Sequence, residues 1–170
     1  MATSAQPVTE TESTEQQAKA LVKRYMYWSM GFGALPAPGV DVLLIGGTQL
    51  NMLRNMSHIY HIDFHENRGK SIVSALVGSI GTPALAFGSI GSLLKMIPVA
   101  GQIFGAVAMP ATAGAVTYAI GKVFIQHFES GGTFLDLDPE TVKVYFKEQY
   151  AEGKKVVDEV VGSKKTVTVK

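Results

Sequence analysis

Two long stretches without a charged residue dominate the pattern of hydrophobic and polar positions. The first, Ser71–Leu94, has 24 residues and the second, Met96–Gly121, has 26, with Lys95 between them. As helices they would be roughly 36 and 39 Å long, and about 20 apolar residues are enough to cross hydrocarbon about 30 Å thick. The pattern therefore predicts a Gly/Ala-rich helical hairpin, with its turn near Lys95, that is embedded in or associated with a membrane.

The first stretch is only weakly apolar. Ten of its 24 residues are Ile, Leu, Val or Phe, and nine are Ser or Gly. Ten large apolar residues favour insertion by ~5 kcal/mol, which Ser, Gly and Pro83 oppose. Insertion of one such helix alone is marginal, and pairing in a hairpin or an oligomer would secure it. A tightly packed soluble hairpin inside a larger assembly is the alternative interpretation.

Small residues recur four positions apart through both stretches. In lipid, ridges of small residues allow two helix backbones to approach closely and gain dispersion contacts. The spacing therefore predicts self-association through these helix faces. The predicted packing and oligomer contacts are Ser74, Gly78, Ala84, Gly88, Gly101, Gly105, Ala111 and Ala115, with Ser92 and Ala119 continuing the spacing.

A helix is predicted before these stretches, starting at the capping-box spacing of Ser13 and Gln16. It runs through the basic pair Lys23 and Arg24 into Tyr25-Met26-Tyr27-Trp28. Basic residues followed by Tyr and Trp are typical of a chain that enters a membrane interface. An amphipathic helix whose aromatic end packs on a protein core is an equally supported interpretation.

Glycines and prolines between Gly31 and Gly39 break the chain, and a second helix is predicted from about Val40 to Tyr60. Asp41 lies in its first turn, where a carboxylate complements the helix dipole. One face of this helix is marked by the spacing of Leu50, Leu53, Met56 and Tyr60.

The last predicted helix follows the break at Gly131-Gly132. Asp138 is suited to the N-cap and Pro139 to the first helical position. The helix is expected to run to about Val160, with apolar residues on one side and charges on the other. Its apolar side is formed by Val142, Tyr145, Phe146 and Tyr150.

Composition and charge exclude several classes of protein. The net charge is +1, which supplies no field for binding nucleic acid. The chain has no cysteine, so disulfides and thiolate chemistry are absent. The acidic N-terminal segment has neither a basic nor an apolar region of the kind found in a signal peptide. Basic residues flank the hairpin on both sides, which predicts that both ends of the chain are cytoplasmic: Arg54, Arg68, Lys70 and Lys122.

Three histidines are the strongest candidates for metal ligands. His58, His61 and His65 are spaced by three and four residues and would share one face if the helix continued through them. Polar residues at a helix end near a membrane surface explain them at least as well. Asp41 and Gln102 are polar residues in an apolar context, which can mark an ion path, although a helix first turn also explains Asp41.

No set of catalytic residues emerges from the sequence. Gly69-Lys70-Ser71 resembles the end of a phosphate-binding loop, but Phe64 occupies the position of the required first glycine. Asp136 and Asp138 are explained as capping and turn residues. We therefore predict no enzyme activity and no cofactor.

Several short motifs resemble a bacterial family built on a domain of unknown function, related to YcjF-type inner-membrane proteins. The resemblance covers about Tyr25 to Phe128, and the region from Gly131-Gly132 to Tyr150 is also similar. The family occurs alone or C-terminal to small GTPase domains. Because its relatives include inner-membrane proteins, the resemblance implies an α-helical, membrane-associated protein of the bacterial inner membrane. It supplies no catalytic residues, and a nucleotide-driven role would need a separate GTPase. The motifs are Pro36-Ala37-Pro38-Gly39-Val40-Asp41, Gln49, Met52, Ile59-Tyr60, Ile97-Pro98-Val99-Ala100-Gly101 and Thr117-Tyr118-Ala119-Ile120-Gly121.

Together these patterns predict an all-α fold of about five helices. Residues 1–14 are expected to form an acidic tail, 15–130 a helical membrane-associated domain, 131–161 an amphipathic helix and 162–170 a second tail. The expected function is that of a non-enzymatic, self-associating membrane protein, such as a pore, ring or scaffold. Its expected partners are lipid and further copies of the chain. A peripheral interaction module that serves a separate small GTPase is the alternative.

Overall fold

The described residues form five α-helices. The computed structural model describes the backbone of residues 8–33, 40–80 and 100–167, and the side chains of residues 14–33, 44–80 and 110–163. The predicted all-α class is confirmed. In chain order the helices are α1 Val8–Gly33, α2 Val40–Ile59, α3 Glu66–Ser79, α4 Ala100–Glu129 and α5 Pro139–Val167.

The observed helix ends differ most from the prediction near the two termini. Helix α1 begins at Val8, five residues before the predicted capping box and inside the predicted tail. Helix α5 continues to Val167 instead of ending near Val160. The predicted start of α5 is confirmed, because the Asp138 carboxylate accepts a hydrogen bond of 3.0 Å from the Glu140 backbone N–H.

The first uncharged stretch is not one uninterrupted helix, contrary to prediction. Helix α3 ends at Ser79, and Ile80 lies in a turn. A physical reason follows in the sequence, since Pro83 can neither donate to the Ser79 carbonyl nor fit beside it in a continued helix. The predicted turn at Lys95, and the small residues Ala84, Gly88 and Ser92, lie outside the described residues.

Helix α4 is the centre of the bundle and packs most extensively against α1 and α5. Val22 of α1 lies against Gly121, where any added Cβ would overlap it. Met30 of α1 lies against Gly114, where an added Cβ would lie 2.6 Å from the Met30 Cγ atom. These contacts make α1 antiparallel to α4 and require small residues on the α4 surface.

The C-terminal end of α4 is closed by aromatic rings. Tyr60, Phe64, Phe124, Phe128 and Phe134 form an aromatic cluster whose neighbouring ring centroids lie 5.2–5.6 Å apart. The rings come from α4 and from the two connecting segments after α2 and α4. Their burial therefore ties the ends of these helices to the segment that leads into α5.

The connection between α4 and α5 is stabilised by the Arg68 side chain and by tight packing at two glycines. The Arg68 guanidinium on α3 donates to the carbonyls of Phe134, Leu135 and Leu137 at 3.2–3.4 Å. Gly131 has a φ of +81°, which glycine adopts without steric cost. Gly132 lies directly against the His127 ring, so a larger residue would displace the ring.

Two tyrosine–glutamate hydrogen bonds cross-link the helices. Tyr118 of α4 donates to Glu152 of α5 at 2.9 Å, and Tyr60 donates to Glu129 at 2.6 Å. Burial, followed by the hydrogen bond to Glu152, raises the pKa of Tyr118 to about 12. Burial, followed by the hydrogen bond to Glu129, raises the pKa of Tyr60 above its usual range. Both phenols therefore remain neutral donors at physiological pH.

In the part of the chain that the structure describes, none of the helices combines the length and the apolarity needed to cross a bilayer.

The contact between α4 and α5 leaves no room for a side chain at Gly153. An added Cβ would lie 2.9 Å from the Ala115 carbonyl oxygen, which is backbone and cannot rotate away. We expect Gly153→Ala to lower the free energy of unfolding by about 1–3 kcal/mol, the usual cost of overpacking. Chemical denaturation monitored by circular dichroism would measure the change.

Gly46→Ala in α2 is the matched control, since an added Cβ there meets nothing within 4 Å. It is expected to be neutral or to stabilise by about 0.5–1 kcal/mol, because alanine favours the helix over glycine. Equal effects at the two positions would contradict the close α4–α5 contact.

Candidate functional site

A buried polar network joins three helices in the middle of the bundle. The Thr117 hydroxyl of α4 donates to the Ser29 hydroxyl of α1 at 2.8 Å, and it accepts from the Gln49 amide of α2 at 3.4 Å. All three side chains are buried. Each hydroxyl or amide satisfies a group that would otherwise be buried without a partner, so the network fixes α1, α2 and α4 in one register.

A second polar contact lies nearby, between α1 and α2. The Tyr25 hydroxyl accepts hydrogen bonds from the amides of Asn51 at 2.9 Å and Asn55 at 2.6 Å. The two asparagines are four residues apart on α2 and therefore share one helix face. They hold Tyr25, and with it the middle of α1, in a fixed position.

These polar groups bind helices together and show no arrangement for catalysis. Ser29, Thr117 and Gln49 contact one another without an adjacent base that could activate a hydroxyl. The sequence analysis missed this network, because its three members are 20 and 68 residues apart along the chain. The only local sign was the presence of polar residues within apolar helices.

The basic and aromatic run of α1 is divided between the core and the surface. Tyr25 and Met26 are buried, whereas Tyr27 is 47% exposed and Trp28 is 56% exposed. The core-packing interpretation therefore holds for Tyr25 and Met26, and the membrane-interface interpretation of Tyr27 and Trp28 stays a prediction.

Lys23 and Arg24 are also exposed and lie one turn before Tyr27 and Trp28. Lys23, Arg24, Tyr27 and Trp28 together form what we name the α1 patch. The patch joins two cations to two large amphipathic rings on one helix surface.

The α1 patch lies in a region of the chain without acidic residues. From Lys19 to Gly33, α1 has three cations and no Asp or Glu, and α4 has Lys122 as its one Asp, Glu, Lys or Arg residue between Ala100 and Phe128. The guanidinium of Arg24 lies 5.6 Å from the Tyr25 ring centroid. This stretch of α1 therefore carries an excess of positive charge.

The predicted histidine site lacks its geometric basis. Helix α2 ends at Ile59, and His61 has a φ of +55°, so His58, His61 and His65 do not continue along one helical face. No group of three His, Asp or Glu side chains with metal-binding geometry occurs among the described residues. The expectation of a shared helical face is therefore wrong.

The predicted small-residue contacts fall into three sets. Ala115 is fully buried in the contact with α5, and Ala111 is partly buried at the edge of the core, so α4 uses these two within the chain. Ser74 and Gly78 are exposed on α3, and a Cβ added at Gly78 would meet nothing within 4 Å. Gly101 and Gly105 belong to the α4 backbone, but their surroundings lie outside the description.

The predicted polar positions Asp41 and Gln102 lie in the first turns of α2 and α4. Their side chains lie outside the described residues, so an ion path through them stays a prediction.

A shallow groove of about 220 Å³ lies between α2 and the start of α3. In it, the Arg54 guanidinium lies 5.2 Å from the Phe64 ring centroid and 3.7 Å from the Glu66 carboxylate. Because the Arg54 guanidinium already contacts Phe64 and Glu66, it does not present an unpaired charge to a ligand in the groove. The sequence does not indicate this contact, because Arg54 lies in α2 and Phe64 lies in the segment that follows it, so no helical periodicity relates them.

The class of protein defined by these features is an all-α bundle with a hydrogen-bonded interior and a basic, aromatic surface. Comparison with known families places it more exactly. The chain belongs to the DUF697 family, a domain of unknown function, whose match covers residues 6–155. The predicted family membership is thereby confirmed, and the match extends beyond Tyr25–Phe128 in both directions.

The chain is also similar to a bacterial protein, magnetosome membrane protein 22 of Magnetospirillum gryphiswaldense (strain MSR-1). The two are 30% identical over 167 residues, which cover 98% of this chain and 86% of the relative. No solved structure matches the chain.

The polar network predicts the behaviour of Thr117→Val. Valine keeps the shape of threonine but leaves the buried Ser29 hydroxyl and Gln49 amide without their shared partner. We expect the free energy of unfolding to fall by about 1–3 kcal/mol, the cost of an unsatisfied buried polar group. Thr112→Val, at a partly exposed position of the same helix outside the network, is the control for valine in a helix, and denaturation curves would compare the two. An equally small effect of both substitutions would show that the network adds no stability.

Proposed function

We propose that the protein is a non-enzymatic, membrane-associated protein that self-associates through small-residue helix faces. The single observation that carries the proposal is the relationship to a magnetosome membrane protein over 98% of this chain. The similarity also covers 86% of the relative, so most of that membrane protein has its counterpart in this chain. The proposed location is the bacterial inner membrane, with both ends of the chain in the cytoplasm.

The surface of α3 supports the proposal of self-association. Ser71, Ser74, Ala75 and Gly78 are exposed and spaced by three, one and three residues, so they share one face of the helix. This face has no large side chain to hold a second helix at a distance. Gly101 and Gly105, one turn apart in α4, offer a further close-approach surface. Contacts of this kind can build a ring, a pore or a scaffold.

A peripheral module that serves a separate small GTPase is the second candidate. It is favoured by the outer surface of α5, where Val144 is 69% exposed among charged residues. A helix of this kind suits a protein partner in water. This candidate places the protein on the membrane through its partner rather than through lipid.

Alkaline carbonate extraction of native membranes separates the two candidates. If the chain is held by lipid, we expect it to stay in the membrane pellet after extraction. Release into the supernatant would favour the peripheral module, and absence from the membrane fraction before extraction would contradict both. Known integral and peripheral proteins of the same membranes are the controls.

Self-association is tested by placing leucine on the small-residue faces. We expect Gly78→Leu, Gly101→Leu and Gly105→Leu each to reduce chemically crosslinked oligomers in native membranes, because the added side chain separates the backbones. Ala151→Leu, at an exposed position on α5, is the control. Crosslinking equal to that of the unaltered chain in all three variants would contradict the proposed interface.

A further inference from the structure

We propose that the α1 patch, formed by Lys23, Arg24, Tyr27 and Trp28, is the site at which the protein recognises the surface of an anionic phospholipid bilayer. This inference deepens the proposed function, because it assigns membrane association to a particular helix surface and to a particular lipid chemistry.

The chemistry of the α1 patch matches that of a lipid interface. Tyr and Trp collect at the boundary between headgroups and acyl chains, where one part of the ring is apolar and another forms hydrogen bonds. Lys and Arg gain electrostatic energy at the surface of anionic lipids. Tyr27 and Trp28 are about half exposed, and the two cations lie one helical turn away on the same surface.

The positive charge of the patch favours contact with an anionic phospholipid surface and disfavours contact with a positively charged protein. The stretch of α1 from Lys19 to Gly33 has no acidic residue, and Lys19 is already paired with Glu15 at 2.6 Å. No salt bridge within the described residues occupies Lys23 or Arg24. Their charges therefore remain available to phosphate groups.

The patch is displayed on a rigid support. Trp28 packs against the ring of Tyr25 with 5.9 Å between centroids, and Tyr25 is held by Asn51 and Asn55. The next residue, Ser29, belongs to the buried polar network. Because the surface is preorganised, docking on lipid would not require the helix to be ordered first.

The position of the patch in the bundle agrees with a lipid contact. Met30 contacts Gly114 of α4 and lies three residues before the end of α1. Helix α4 begins fourteen residues before Gly114, so its N-terminal part extends past the end of α1. The N-terminal part of α4, Ala100–Met109, contains no charged residue and leads away from the same end of α1. The patch therefore lies where the chain passes from charged to uncharged sequence.

Trp28 provides a direct measurement, because it is the single tryptophan of the chain. The full-length chain is mixed with vesicles of phosphatidylglycerol and phosphatidylcholine in equal parts, or of phosphatidylcholine alone. We expect a blue shift of Trp28 emission, protection from aqueous iodide and quenching by lipids brominated in the upper acyl chain, all stronger with phosphatidylglycerol. Flotation of the vesicles measures total binding in the same samples.

Matched variants separate the patch from general charge. We expect the double variant K23Q/R24Q to weaken binding to the phosphatidylglycerol vesicles by roughly fivefold for each cation removed. The double variant K154Q/K155Q removes two exposed neighbouring lysines of α5 and should leave binding within twofold. Trp28→Ser should weaken flotation, whereas Leu135→Ser, at a position 61% exposed, should not. Circular dichroism would establish that each variant is folded.

Three outcomes would overturn the inference, and one of them also concerns the proposed function. If the chain floats with vesicles while Trp28 emission and iodide access are unchanged, another surface binds lipid and only the α1 patch is wrong. If Trp28 emission shifts with protein concentration in the absence of vesicles, a second copy of the chain covers the patch. If the chain does not float with either vesicle, the proposed association with lipid fails as well.

Discussion

The close approach of α4 to its neighbours is the constraint on which the rest of the structure depends. Gly121 and Gly114 of α4 admit the side chains of Val22 and Met30, and the Ala115 backbone lies against Gly153 of α5. Larger residues at these positions would push the helices apart. The separation of α1 and α4 in turn sets the distances within the Ser29–Thr117–Gln49 network. The same packing leaves the opposite side of α1 exposed with its cations and rings.

Local features allowed much of the fold to be predicted. The start of α5 is determined by the neighbouring Asp138 and Pro139, and α2 has an apolar repeat along its length, so both were identified from adjacent residues. The continuous helix expected after Ser71 was wrong, because α3 ends at Ser79, and a proline four residues later in the sequence cannot donate to the Ser79 carbonyl in a longer helix. The shared face of His58, His61 and His65 was wrong, because it required a helix that ends at Ile59.

The candidate site was only partly predictable, for a geometric reason. Successive residues of a helix point about 100° apart, so a run such as Tyr25–Trp28 must be divided between two faces. Its composition indicated an interface, but only tertiary packing decides that Tyr25 is buried and Trp28 exposed. The hydrogen bonds of Tyr25 to Asn51 and Asn55 bridge 26 and 30 residues of chain. No periodicity in the sequence connects such distant partners.

The kinds of contact inside the bundle determine in which solvent, water or hydrocarbon, the helices stay packed together. Burial of large apolar side chains is favourable because water is expelled, and that driving force vanishes when the surroundings are hydrocarbon. Hydrogen bonds such as Thr117–Ser29, and dispersion contacts across Gly114 and Gly121, do not depend on that expulsion of water. When an aqueous environment is exchanged for an oily one, the pairing of α1 with α4 therefore keeps these two contributions and loses the one from apolar burial.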